Sequence, residues 1–179
     1  ALAVTLTSAG TRLDPPVLIA PAHEVGDVKL RLEATLTREL AARRIEIGSD
    51  RRGLVISILE AGSFAAGSAS LTPPVRALIL EIASAVSAIP HDVRVEGHTD
   101  NIAIATERFA SNWELSTARA TAVVSFLAAE GRLSPARLSA AGYGEFRPRV
   151  PNDSAAGRAQ NRRVDIVVLN TATRDAEEP

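Results

Sequence analysis

The chain has no cysteine among its 179 residues. That excludes disulfides and thiolate metal sites, and it leaves the redox compartment open, since a cysteine-free chain suits an oxidising periplasm and a reducing cytosol alike. Long apolar runs are missing as well. No segment approaches the ~20 apolar residues needed to span a bilayer, and Ala1–Leu6 is too short, and lacks the basic flank, for a signal peptide. As it stands, this reads as a soluble chain without an address. An excess of either charge is also missing: 20 Lys and Arg against 21 Asp and Glu leave a net charge of −1. The charges are mixed along the chain, so no basic stripe follows a phosphate backbone, and nucleic acid is not an expected partner.

Several catalytic patterns are absent too. His23, His91 and His98 are the three histidines, and neither of the first two has ligand spacing with the His98-x-Asp100 pair, so no metal site is expected. Serines are plentiful, but there is no Gly-x-Ser-x-Gly elbow. Gly142-Tyr143-Gly144 lacks the third glycine of a dinucleotide fingerprint and reads better as a turn. The expectation is a chain without catalytic residues or cofactor.

What is present is apolar residues in ordered patterns. With 46% hydrophobic residues the chain can bury a substantial core, and its length suggests one domain plus an extension. Thr7–Pro21 holds Gly10, Pro15, Pro16 and Pro21 and reads as a linker. From Glu24 to Arg44 the apolar residues Val28, Leu32, Leu36 and Leu40 recur every fourth position between charges, predicting an amphipathic helix. Its narrow stripe would pack either on the domain or on the same helix of a second chain.

Leu54–Leu59 is short, β-branched and bounded by Gly53 and Gly62, and predicts a strand. Thr72 before Pro73 and Pro74 marks a helix start, and Val75, Leu78, Ile79, Ile82 and Val86 follow at helical spacing until Pro90. Val93–Glu96 is a second strand. Ser111 with Glu114 makes a capping-box pattern ahead of a helix that runs to Gly131. A short turn begins at Ser134-Pro135, and Leu138–Tyr143 and Val164–Leu169 are the third and fourth strands. Strands alternating with helices require at least one parallel crossover, hence a layered α/β sheet covered by helices. The expected organisation is linker and helix over 1–50, a compact domain over 51–170 and a frayed polar tail over 171–179.

The most informative residues are Val95-Glu96-Gly97-His98-Thr99-Asp100 and Ser111–Ala120. They place an acidic side chain just after a strand and Arg119 in the first turns of a helix. A carboxylate beside an arginine, near a helix start, can hold a zwitterionic amino-acid group by its ammonium and its carboxylate together. The chemistry is capture rather than bond breaking. Each residue also has a plainer reading. Asp100 could bond its own backbone in a turn, and Arg119 could be a surface partner for Glu114 or Glu96. Trp113 could cover the core, its more frequent role, or stack on a sugar.

Gly97–Asn101, Ser111–Val124, Leu138–Glu145 and Asn161–Ile166 together resemble the OmpA-like peptidoglycan-binding domain, over about Leu54 to Leu169. Within that family the wording Ser-Asn-Trp-Glu-Leu-Ser-Thr-Ala-Arg-Ala is most similar to MotB, the flagellar stator group. The resemblance implies a βαβαβ-type mixed sheet. It also implies a non-catalytic module that anchors a flagellar motor to the cell wall by gripping the diaminopimelate of the peptidoglycan stem peptide. Asp100 would meet the ammonium and Arg119 the carboxylate, with a guanidinium fork that lysine cannot imitate.

Asn112 and Leu115 match family positions beside the ligand, although helix capping and core packing would also account for them. Thr99, Phe64 and Arg162 match positions that line or brace the groove; Phe64 could equally be core, and Arg162 a surface ion-pair partner. The resemblance further implies a homodimer, a MotA-like stator partner, and a periplasmic location behind an inner-membrane helix that precedes residue 1. An outer-membrane tether of the OmpA or Pal type and a wall-directed hydrolase are the alternatives. The missing glycine after Asp100, where the loop reads Ile102-Ala103-Ile104-Ala105-Thr106-Glu107-Arg108, departs from OmpA itself and weighs slightly against the outer-membrane tether.

Overall fold

In the computed structural model the short β-branched runs form one sheet with an apolar, helix-covered face and an opposite face that carries buried charged side chains beside Val55, Val167 and Leu169. The structure describes residues 22–60, 63–65 and 67–170. The linker expected over Thr7–Pro21 and the tail Thr171–Pro179 lie outside the described residues. The elements run α1 (Ala22–Thr35), α2 (Thr37–Ala41), β1 (Ile45–Asp50), β2 (Gly53–Leu59), α3 (Pro73–Val86), β3 (Val93–His98), α4 (Asn112–Ala129), a 3₁₀ turn (Pro135–Arg137), β4 (Leu138–Gly142), α5 (Ala155–Asn161) and β5 (Arg163–Leu169). The sheet order is β1-β2-β5-β3-β4. Only the β3–β4 pair is parallel, and α4 supplies the crossover that a parallel pair requires. The expected layered α/β architecture is therefore present.

On the helix-covered face, Leu54, Ile56 and Ile58 of β2, Val93 and Val95 of β3, and Val164, Ile166 and Val168 of β5 join α3 and α4 in one core. Each such buried side chain contributes roughly 1.5–3 kcal/mol. Val28, Leu32 and Leu36 belong to the same cluster, so the amphipathic stripe packs on its own domain. The helix expected over Glu24–Arg44 is interrupted at Leu36, beyond which the Thr37 hydroxyl donates to the Ala34 carbonyl at 2.9 Å. Arg43, at φ 51°, ends it.

Two elements went unpredicted. β1 is an edge strand whose Glu46, Gly48 and Ser49 dilute the apolar alternation; it pairs along β2 from Ile45↔Ile58 to Asp50↔Gly53. A domain boundary at 51 would cut this hairpin, so the sheet starts at Ile45. Gly53 is required there: its φ is +141°, and a Cβ would lie 2.0 Å from the Val168 carbonyl oxygen. α5 is short and contains Gly157, and Ser154 caps it by accepting from the Gly157 N–H at 3.0 Å. One further glycine positions the site. At Gly97 a Cβ would lie 2.0 Å from the Ser116 carbonyl oxygen, so β3 and the backbone of α4 touch only because that side chain is missing.

Candidate functional site

Close packing of β3 on α4 brings the end of the strand to the start of the helix. Thr99 leaves β3 with its N–H donating to the Gly144 carbonyl at 2.9 Å, and its hydroxyl donates to the Asp100 carbonyl at 2.8 Å. Asp100 follows at 5% exposure. Its Oδ1 accepts from the Ile102 N–H at 2.9 Å, forming the turn that local sequence suggested. Its Oδ2 accepts from Arg162 Nη1 at 2.6 Å. Turn former and charged partner are thus the same side chain, one oxygen for each task.

Ser111 caps α4 by accepting from the Glu114 N–H at 3.3 Å, and Glu114 reaches back to the Ala110 N–H at 2.8 Å. The helix then holds Asn112, Leu115 and Arg119 on its buried side. Asn112 is not the cap. Its Nδ2 reaches the Ile102 carbonyl at 3.1 Å and Glu145 Oε2 at 2.8 Å, tying the loop after Asp100 to the loop after β4.

Arg119 is 1% exposed. Its Nε donates to the Ser68 carbonyl at 2.9 Å, its Nη2 donates to Glu60 Oε1, and its Cζ lies 4.9 Å from the centre of the Phe64 ring. The expected ion-pair partners Glu96 and Glu114 are engaged elsewhere, by Arg52 and by the Ala110 N–H. Glu60 takes that place, and its Oε2 accepts from Arg162 Nε at 2.5 Å. Burial opposes the Arg162 charge, but the Asp100 and Glu60 carboxylates outweigh it and hold its pKa above the ordinary value.

The result is an alternating chain of charge, Arg119–Glu60–Arg162–Asp100. It lines one cavity of about 390 Å³ together with Thr99, Asn112, Leu115, Ile102 and Ile104. Asp100 and Arg119 are joined through two intervening residues, Glu60 and Arg162. Of the predicted site residues, six line this cavity; Phe64 is buried, and its ring lies against the Arg119 guanidinium instead. Leu115 serves both readings, since it lines the cavity and packs on Ala69 and Phe109. Sequence reasoning missed Glu60, which stands at the end of β2 and has no neighbouring motif. An acidic residue directly after a buried strand was the one signal available.

The opposite sheet face carries a second charged group. Glu96, His98 and Asp165, all buried, place ligand-type atoms within 4.8 Å of one another. Arg52 and Arg94 face Glu96, and Arg149 and Arg163 face Asp165. Four guanidinium groups already balance the carboxylates, which disfavours a dication there. Trp113 also departs from expectation: it is 49% exposed and stacks on Phe146 at 5.1 Å instead of covering the core.

Comparison with known proteins agrees with this architecture. The OmpA family profile matches residues 63–162. Motility protein B of Bacillus subtilis is 32% identical over 160 residues, covering 89% of this chain and 61% of that protein. The structure of the cell wall anchor of the T6SS from Pseudomonas aeruginosa is 38% identical, with a TM-score of 0.71 over 78% of this chain and 97% of that one. The periplasmic domain of Helicobacter pylori MotB is 27% identical, with a TM-score of 0.66 over 74% of this chain and 86% of that one. The chain spans about half to three fifths of the length of the curated relatives it matches.

Proposed function

We propose that this chain, which belongs to the OmpA family, is a non-catalytic peptidoglycan-binding module that grips the stem peptide in the cavity between Asp100 and Arg119. The observation that carries this reading is the alternating row of two carboxylates and two guanidinium groups in one open cavity. A diaminopimelate end presents an ammonium and a carboxylate on one carbon. Asp100 suits the first, and the Arg119 and Arg162 forks suit the second by paired hydrogen bonds. Arg162, with its side chain 34% exposed, is the group a ligand meets first. Asp100 and Glu60 are both tied to guanidinium groups, an ion-pair row suited to holding a charged ligand.

Within this proposal the chain is the wall anchor of a MotB-like flagellar stator. It works in the periplasm as a homodimer, with an inner-membrane helix before residue 1 and a MotA-like partner. Among the described residues no helix is long and apolar enough to cross a membrane. One stem peptide engages few groups, so firm anchoring draws on several copies bound to one polymer. The likeness to a T6SS cell wall anchor favours a second reading with the same chemistry, an anchor for another envelope assembly.

Co-sedimentation with insoluble peptidoglycan tests the proposal. Asp100→Asn keeps the acceptor for the Ile102 N–H while removing the charge, and Arg119→Lys keeps the charge while removing the fork. Each is expected to weaken binding by about 2 kcal/mol or more with the fold intact. Wild-type protein that stays in the supernatant would overturn the proposal.

A further inference from the structure

We infer that Trp113 and Phe146 form a second subsite, beside the cavity, that stacks on a pyranose ring of the glycan strand. The inference rests on the peptidoglycan reading and extends it from the peptide to the sugar. The chain has one Trp, one Tyr and four Phe. Phe64, Phe109 and Phe126 are buried, and Tyr143 lies between His98 at 5.4 Å and the Arg147 guanidinium at 3.7 Å. The two remaining rings are both exposed, at 49% and 64%, and they are stacked on each other at 5.1 Å with an interplanar angle of 21°. Single exposed apolar residues are ordinary. In a chain this poor in aromatics, the pairing of its two most exposed rings makes one continuous apolar surface.

That surface is built and placed by the same groups that build the cavity. Gly144, at φ +53°, lies beneath both rings: a Cβ there would sit 3.7 Å from Trp113 Cδ2 and 3.6 Å from Phe146 Cδ2. Its N–H donates to the Ser116 hydroxyl at 3.0 Å, and its carbonyl accepts from Thr99 at 2.9 Å, next to Asp100. Asn112, which lines the cavity, donates to Glu145 at 2.8 Å. Trp113 and Phe146 are the next residues after the two partners of that bond, so the platform is continuous with the cavity rim. In peptidoglycan the peptide hangs from the sugar, and a peptide held in the cavity brings a pyranose ring with it. One face of a pyranose is lined by C–H groups and is drawn to the negative face of an aromatic ring, while its hydroxyl groups stay in water.

Because Trp113 is the only tryptophan, its fluorescence reports on this surface alone. The probes are a peptide-free N-acetylglucosamine–N-acetylmuramic acid tetrasaccharide, the free stem tripeptide and the intact muropeptide. The expected result is a shift of Trp113 emission with the peptide-free sugar. By calorimetry, Phe146→Ala and Trp113→Ala should bind the muropeptide about 3- to 10-fold more weakly, Trp113→Phe should recover most of that loss, and all three should bind the free tripeptide like wild type. No emission change, with unaltered muropeptide affinity in both alanine variants, would overturn the inference. If wild type binds the sugar but not the tripeptide, the subsite stands and the cavity reading falls; the reverse pattern removes the subsite and keeps the cavity. If Phe146→Ala only lowers the molecular mass in sedimentation equilibrium, the rings join two copies of the chain, and the inference is again overturned.

Discussion

Arg162 donates to Asp100 at 2.6 Å from one nitrogen and to Glu60 at 2.5 Å from another. The acid expected to bind a ligand ammonium is therefore already neutralised, and its neutralising partner is itself shared. A zwitterion entering this row exchanges one set of ion pairs for another of the same charge. Under the proposed function the site would release its ligand as well as hold it, in keeping with an anchor that gains firmness from many weak contacts.

Glu60 is the only carboxylate on the buried Arg119 guanidinium among the described ion pairs. Removing one partner of a buried pair leaves an uncompensated charge, at a cost of about 3–5 kcal/mol. Glu60→Ala should lower stability by about that amount in urea unfolding at neutral pH. An unfolding midpoint equal to wild type would show that Arg119 draws its compensation from elsewhere.

Gly97→Ala puts a methyl group where the Ser116 carbonyl stands, at 2.0 Å. Backbone cannot yield as a side chain tip can, so β3 must shift away from α4, at a cost of about 1–3 kcal/mol. Because Asp100 follows β3 and Arg119 rides on α4, peptidoglycan binding should drop as well. A thermal midpoint and a sedimented fraction both unchanged would refute the close-approach argument.

Leu32, at 1% exposure, anchors α1 in the core. Leu32→Ala should destabilise by about 2–5 kcal/mol. The contacts lie within one chain, so the loss should be the same at low and high protein concentration. A loss that shrinks as the protein is concentrated would mean that α1 packs mainly between two chains.

His98 is buried among Glu96, Asp165 and Arg163, and burial is the dominant effect, pushing its pKa below the usual 6.5. As pH falls through that value the unfolded chain takes up a proton that the folded chain refuses. Stability is therefore greatest above about pH 6.5 and declines below it, by up to about 1.4 kcal/mol per pH unit, until the folded imidazole itself protonates. Urea midpoints at pH 7.5, 6.5 and 5.5 should fall in wild type and fall less in His98→Gln. Parallel pH profiles for the two proteins would exclude His98 as the titrating group.

The strands β2, β3 and β5 were legible because they are short runs rich in Val and Ile, with Gly53 and Gly62 bounding β2. α3 and α4 were legible because proline and a capping serine announce their starts. β1 was hidden because an edge strand needs only two apolar residues, Ile45 and Ile47, and its other positions look like loop. The end of α1 was overrun because Leu40 continues the stripe through the break after Thr35.

In the site, Asp100 and Arg119 stood out through local sequence and the family resemblance together, whereas Asn112 was singled out by the resemblance and its local reading as a cap falls instead to Ser111. The linking of Arg119 to Asp100 through Glu60 and Arg162 could not be read that way. Glu60 and Arg162 are 102 residues apart, and they meet because the β2–β5 ladder pairs Leu59 with Arg163. By itself, the order of residues determined which faces are apolar, where the helices begin and which side chains could hold a zwitterion. Only the tertiary structure decided which charges neutralise one another and which aromatics face water. Coulomb energy and exposure depend on distance in space, and strand pairing sets that distance independently of separation along the chain.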